Sequence, residues 1–223
     1  MTTHERRVRS FHSRQGRISP LNARTLESHR TKYLLQSHQV IDLIAQFGYK
    51  DVVLDIGCGF GEATVAMAQA QPDIGILAIE VHIRGVARLL QGVDTAGVTN
   101  IRAVNTDAVP YIRDCLPANS LAGARIYFPD PWPKARHHKR RLIQQDFVGL
   151  LATKLAPGAF LHCATDWQPY AEHMLEVLNA SPDFCNTVES YLPRPTWRPL
   201  TRYEQAGIDK GHRVFDLFFT KNT

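Results

Sequence analysis

Residues 51–61, Asp-Val-Val-Leu-Asp-Ile-Gly-Cys-Gly-Phe-Gly, constrain this chain more than any other segment. An apolar run that breaks into glycines at alternate positions reads as a short buried strand turning sharply into a helix. The alanine-rich stretch 62–71 supplies that helix. The alternation then continues. Strand-like runs occupy 74–81, 101–105, 125–128, 159–165 and 213–219, and helical spacing marks 22–47, 86–92, 142–155 and 170–178. Strands alternating with helices predict an α/β fold, a parallel sheet covered on both faces. No internal repeat or low-complexity linker divides the chain. We expect a flexible basic arm over 1–21 and one domain over 22–223.

The glycines at 57, 59 and 61 also let a ligand approach the backbone without meeting a Cβ. They stand at the carboxyl edge of a strand, where doubly wound sheets hold adenosine-containing ligands. Their spacing separates ligand classes. The dinucleotide fingerprint G-x-G-x-x-G needs glycine where this chain has Glu62. Asp55, two residues before Gly57, suits the ammonium end of S-adenosylmethionine and would repel a pyrophosphate. Glu80 closes the next strand, where a carboxylate accepts ribose hydroxyls. Asp107 follows the third strand and is placed to receive an adenine amine. Singly, an acid after a strand is more often a helix cap. Three in succession behind a glycine loop point to an adenosyl ligand.

After the fourth strand comes Phe128-Pro-Asp130-Pro-Trp132-Pro-Lys134. Prolines on both sides of Asp130 restrict the backbone and remove donors, which holds Asp130 and Trp132 in a rigid exit. Residues 134–141 then carry five Lys/Arg and no acid. An acid, a stacking ring and a cationic block are the parts needed to hold an extruded base beside a phosphate backbone. The plain alternative is a stiff loop with a surface acid. Adjacent His137 and His138 point apart, so we expect no metal site. Lys134 suits a phosphate contact. Asp166 reads either as a partner to base or ribose or as the cap of a helix starting at Trp167. Thr201, Arg202, Tyr203 and Glu204 follow the proline-rich stretch 193–199, which suits a loop over the mouth of a site. Of the three tryptophans, we place Trp132 near the ligand.

Charge adds a class of partner. Residues 1–32 hold eight Lys/Arg against two acids, so this arm carries +6 of a net charge of +5 and the remainder carries −1. A polyanion would account for both the arm and the block at 134–141, because neutralised phosphates release counterions. Deleting residues 1–17 is expected to weaken that binding and flatten its salt dependence without touching the cofactor. No run approaches the roughly 20 apolar residues of a membrane span, so no membrane partner is expected. The first thirty residues lack the apolar core of a secretory signal, and an organelle transit segment remains the alternative. Cys58, Cys115, Cys163 and Cys185 show no paired spacing and read as reduced thiols of a cytoplasmic protein.

On these residues the chain resembles the bacterial tRNA (guanine-N7-)-methyltransferase family. The matching stretches are Arg9-Ser-Phe, Arg14-Gln-Gly-Arg17, 54–61, 79–82, Asp107-Ala, 128–141, 164–167 and 195–204, spread over nearly the whole chain. The Pro-Asp-Pro-Trp-x-Lys-Ala-Arg-His-x-Lys-Arg-Arg segment is the most specific. The resemblance implies a Rossmann-like class I methyltransferase fold, mostly parallel, with an antiparallel strand near the C-terminus. It implies that Asp55, Gly57, Glu80, Asp107 and Asp130 bind S-adenosylmethionine and that Asp130 is catalytic. It assigns Lys134, Asp166 and Thr201 through Glu204 to the tRNA substrate, with the guanine at position 46 of the variable loop as target. Asp55 departs from the pattern, since many members carry Glu there; the charge is kept and the reach is shorter. Pro133 also varies. The competing readings are a methyltransferase acting on another RNA, a protein or a small molecule, and a non-catalytic RNA-binding protein. Monomer and homodimer both stay open.

Overall fold

The computed structural model describes residues 9–11, 18–48 and 51–223. Most of the arm expected over 1–21 lies outside the described residues, and so does its ordering on RNA. The elements run α1 (Pro20–Tyr33), α2 (Leu43–Phe47), β1 (Val52–Ile56), α3 (Glu62–Ala70), β2 (Gly75–Glu80), α4 (Ile83–Ala96) and β3 (Ile101–Asn105). They continue with α5 (Ala108–Cys115), β4 (Leu121–Tyr127), a 3₁₀ turn (Ala135–Arg140), α6 (Gln145–Ala152), β5 (Leu155–Thr165) and α7 (Gln168–Asn179). The chain closes with β6 (Phe184–Asn186), α8 (Arg202–Ile208) and β7 (Phe215–Lys221).

Seven strands form one sheet in the order β3-β2-β1-β4-β5-β7-β6. All pairings from β3 to β5 are parallel, and β7 runs antiparallel between β5 and β6. Every residue of β1 and β2 is buried, because helices cover both faces there. Tyr33 of α1, Met67 of α3 and Leu89 and Leu90 of α4 pack on one face; Ile112 of α5, Leu151 of α6 and Met174 of α7 pack on the other. In α4 the buried residues Val86, Leu89, Leu90 and Val93 follow the i, i+3, i+4, i+7 spacing of one helical face. The strand order reverses between β1 and β4, and the crevice outside their carboxyl ends is where ligands of such sheets bind.

Several expected elements need correction. The single helix expected over 22–47 is two helices, because Leu34 leaves α1 and bridges to Ala103, and the Leu35 N–H donates to the Ala103 carbonyl at 2.9 Å. Satisfying the edge of β3 takes precedence over the helical pattern. The strand expected at 125–128 begins at Leu121, and Gly123 lets the Phe160 ring lie against the strand, where a Cβ would stand 2.3 Å from Phe160 Cε1. Helix α5 escaped the sequence reading because Pro110 sits in it, but in the first turn, where the missing N–H costs nothing. Residues 201–208 are not a loop. Thr201 caps α8 by accepting the Glu204 N–H at 3.2 Å, and the pattern Thr-x-x-Glu is a helix-start signal that was available in the sequence.

Candidate functional site

Asp55, Glu80, Asp107, Asp130 and Asp166 all stand at or just beyond the carboxyl ends of the parallel strands. Two adjoining cavities occupy the crevice. The smaller, about 220 Å³, is walled by Glu80, Asp107, Thr106, Ser10 and Phe11. The larger, about 760 Å³, is walled by Asp55, the glycine loop, Glu62, Arg198 and Thr201 through Tyr203. Gly57, Tyr127, Phe128 and Asp130 line both. Asp130 therefore stands where one cavity meets the other.

The glycine loop is built for a ligand. Gly57 and Gly59 adopt φ of 75° and 57°, and a Cβ on either would meet nothing within 4 Å, so the backbone itself faces open space. Glu80 holds this loop by accepting the Gly59 N–H at 2.9 Å, and its second oxygen accepts the His82 N–H at 2.7 Å. A carboxylate offers about four acceptor positions, so acceptor capacity remains for ribose hydroxyls. Burial pushes the Glu80 carboxyl up, and the two backbone donors oppose that rise. Asp55 is buried and accepts the Thr64 hydroxyl at 2.5 Å; burial raises its carboxyl, while Thr64 and then Arg125 pull it down. Asp107 caps α5, accepting the Val109 N–H at 3.1 Å, and it also walls the smaller cavity.

The Pro-Asp-Pro segment is strained at both ends. Phe128 and Trp132 have φ of 51° and 46°, a region that costs non-glycine residues about 1–3 kcal/mol each. Arg141 holds the segment from behind: it is buried, donates to the Pro131 carbonyl at 3.0 Å and lies over the Tyr170 ring. It is therefore not part of an exposed cationic strip, whereas Lys134, Arg136 and Lys139 are exposed. Trp132 is also corrected. Its ring is buried, its indole N–H donates to the Ser10 carbonyl at 3.0 Å, and the Arg140 guanidinium lies 4.9 Å from its centroid. It anchors the loop instead of offering a face to a base. The exposed aromatics lining the larger cavity are Phe60 and Tyr203, and Tyr203 packs edge-on against Phe128 at 5.2 Å.

The structure groups Asp130, Asp166 and Tyr203. Partial desolvation of the phenol raises Tyr203, although the residue as a whole is exposed, and the carboxylates of Asp166 and Asp130 raise it further. Asp166 pairs with His212 Nδ1 at 3.2 Å, and Thr165, not Asp166, accepts the Trp167 N–H, so the cap reading for Asp166 fails. Lys134 lines neither cavity; it stands outside at the start of the 3₁₀ turn. Glu204 turns away from the mouth. Its side chain is fully buried and is gripped by Arg198 at 2.7 and 2.8 Å and by Arg194 at 2.9 Å. Arg198 also donates to both oxygens of Asp216, at 2.7 and 3.0 Å. Asp216 accepts from His162 Nε2 at 2.8 Å, which leaves Nδ1 to accept the Tyr127 hydroxyl at 2.8 Å. Burial holds the His162 ring below its ordinary value and so neutral.

A chain of buried hydrogen bonds thus runs from Tyr127, on the wall shared by the cavities, to the helix that carries Thr201 through Tyr203. Sequence reading missed Tyr127, Phe60, Arg198, Ser10 and Phe11. Arg198 gave no local signal, because its partners lie 6 and 18 residues away. Ser10 and Phe11 wall the smaller cavity, so deletion of residues 1–17 removes part of that wall as well as the basic charge. Among the described residues, no group of three or more His, Cys, Asp or Glu is placed to hold a metal, and no helix is long and apolar enough to cross a membrane.

Residues 49–217 match a family model described as "Putative methyltransferase". A Streptomyces avermitilis protein named tRNA (guanine-N(7)-)-methyltransferase is 54% identical over 221 residues, covering 97% of this chain and 76% of its own. A Nitrosospira multiformis protein of the same name is 48% identical over 218 residues, covering 97% and 95%. Among solved structures, the 16S rRNA methyltransferase KamB superposes with a TM-score of 0.61 at 16% identity, covering 83% of this chain and 95% of that one. That likeness is one of fold.

Proposed function

This chain belongs to the tRNA (guanine-N(7)-)-methyltransferase family, and on that premise we propose which of its groups carry the reaction and where on the tRNA it acts. It transfers a methyl group from S-adenosylmethionine to N7 of a tRNA guanine. The target we assign is the guanine at position 46, in the variable loop. Its place is the cytoplasm, where that substrate is found.

The cavities fit the cofactor. Carboxylates that burial makes reluctant to ionise line a site for a molecule with an ammonium, a sulfonium and several hydroxyl and amine donors. Asp55 takes the amino-acid end, Gly57 lies against the body of the molecule, Glu80 takes the ribose and Asp107 the adenine. S-adenosylmethionine, when bound, supplies an electrophilic methyl group. The position of Asp130 on the shared wall carries the reading, because the base has to meet the methyl group where the two cavities join.

Guanine N7 bears a lone pair and no proton. No group of the protein has to act as a base, so its task is to hold N7 in line with the methyl group at near-attack distance. Asp130 accepts hydrogen bonds from the guanine N1–H and amino group, and its charge steadies the positive charge that the ring gains on methylation. The strained turns at Phe128 and Trp132 and the flanking prolines keep that carboxylate in place. Tyr203 and Asp166 contact the base or ribose, Thr201 and Arg202 the adjoining nucleotide, and Lys134 a phosphate farther out. Glu204 serves the tRNA indirectly, by anchoring α8.

The test uses unmodified tRNA transcripts, methyl-labelled S-adenosylmethionine and nucleoside analysis. Label is expected in 7-methylguanosine and is lost when the variable-loop guanine is replaced. Label that persists after the replacement overturns the position, and label in another nucleoside overturns the atom.

A further inference from the structure

Among the contacts that hold α8 against the rest of the molecule, an inner one and an outer one matter here. The inner one is the buried grip of Arg198 on Glu204. The outer one joins Arg202, the first residue of α8, to Glu62, the first residue of α3, 140 positions earlier in the chain. One oxygen of Glu62 accepts the Arg202 backbone N–H at 3.0 Å; the other accepts the Arg202 Nε–H at 2.5 Å and lies against its Nη2. Both residues wall the larger cavity. Hydrogen bonding from Arg202 holds the Glu62 carboxyl below its usual range, with a smaller contribution from Arg88.

This contact is poorly suited to stabilising the fold. The Arg202 side chain is 82% exposed, and exposed ion pairs add about 0–1 kcal/mol at most. Nor does the acid by itself help to bind a polyanion, because a carboxylate at the mouth of a tRNA site repels phosphate. What it does is fix both the backbone and the side chain of the residue that opens the substrate helix.

We propose that Glu62 is a positioning residue: it latches the segment Thr201–Arg202–Tyr203 to the cofactor helix α3, so that the segment stands over the reaction cavity before tRNA arrives. The proposal rests on the reading of that segment as a tRNA contact. With the latch cut, Glu204 still anchors α8 from within its first turn, while Thr201 and Arg202 at the very start of the helix lose their tie to α3. The fraction of molecules ready to bind then falls, and the apparent affinity falls with it.

The two parts make opposite predictions. Pure electrostatics predicts that removing Glu62 tightens tRNA binding. The latch predicts that Glu62→Ala lowers kcat/KM for tRNA by about tenfold, more through KM than through kcat. Glu62→Gln, which keeps an acceptor for the backbone N–H, falls between. The thermal midpoint stays within about 3 °C of the wild type, as for an exposed pair. In a double-mutant cycle, Glu62→Ala costs less in the Arg202→Ala background than in the wild type, since the side-chain half of the contact is already gone and only the backbone N–H bond is left to lose. Additive losses, or a lower KM in Glu62→Ala, overturn the proposal. Wild-type enzyme in the same assay separates the two readings: if it forms 7-methylguanosine while the cycle is additive, only the latch fails, and if it forms none, the family reading fails first.

Discussion

Replacing Arg198 with Met tests the buried network most directly. The Arg198 side chain is 1% exposed and lies between carboxylates that are 0% and 1% exposed, Glu204 and Asp216. Met fills much of the same space and removes four hydrogen bonds of 2.7–3.0 Å. Glu204 keeps Arg194, which is 34% exposed, and Asp216 keeps the neutral His162. Breaking a buried ion pair by removing one partner costs about 3–5 kcal/mol, because the other charge is left without compensation. A domain is stable by only about 5–15 kcal/mol, so this is a large share of the total. For a chain of this length the thermal midpoint is expected to drop by about 6–20 °C. Urea unfolding at neutral pH, followed by circular dichroism, measures the loss. The triple variant Arg198→Met, Glu204→Gln, Asp216→Asn is expected to recover most of it, because no buried charge then remains in this cluster. A loss below about 1 kcal/mol for Arg198→Met would mean that the pair behaves as a solvated surface pair, and the reasoning fails.

Asp130→Asn keeps the size of the side chain and removes its charge; turnover is expected to fall about 100-fold or more while S-adenosylhomocysteine still binds, and wild-type kcat at saturating tRNA would sink its role. Burial lowers the titration of His162 and His173 in the folded protein. As pH falls through about 6.5 the unfolded chain takes up protons that the folded one refuses, so stability drops by up to about 1.4 kcal/mol per pH unit for each histidine. Unfolding measured between pH 7.5 and 5.5 checks this, and a flat profile refutes it. Gly61→Ala places a Cβ 2.4 Å from Leu89 Cδ1 at φ 79°, so α3 must move away from α4. A loss of about 2 kcal/mol or more is expected, with weaker cofactor binding, and unchanged calorimetric titration would contradict the packing argument.

How much the sequence disclosed depends on the range of each interaction. The glycine loop, the acids after the strands and the prolines around Asp130 are local patterns. Their chemistry follows from neighbours in the chain, and they gave the alternating fold and the adenosyl ligand. The family resemblance added the tRNA substrate, which the 54% identical relative bears out, and the match of residues 49–217 bears out the methyl transfer. Helix α8 was within reach too, since Thr201 and Glu204 have the spacing of a capping pair.

Other features were decided only when distant segments met. Trp132 has the same identity whether it stacks on a base or anchors a loop, and the carbonyl of Ser10, 122 residues away, settles which. Glu204 looked like a tRNA contact until Arg198 and Asp216 closed a buried space around it. Glu62, which in the sequence served only to exclude a dinucleotide fingerprint, gained a partner 140 residues away. The sequence by itself determined most of the strands, the turn chemistry of the glycine loop and the class of ligand, because backbone preference and short-range periodicity act between near neighbours. The tertiary structure decided which charges face the cavity and which are spent inside the protein. Burial and ion pairing depend on what else occupies the same volume, and no spacing along the chain encodes that.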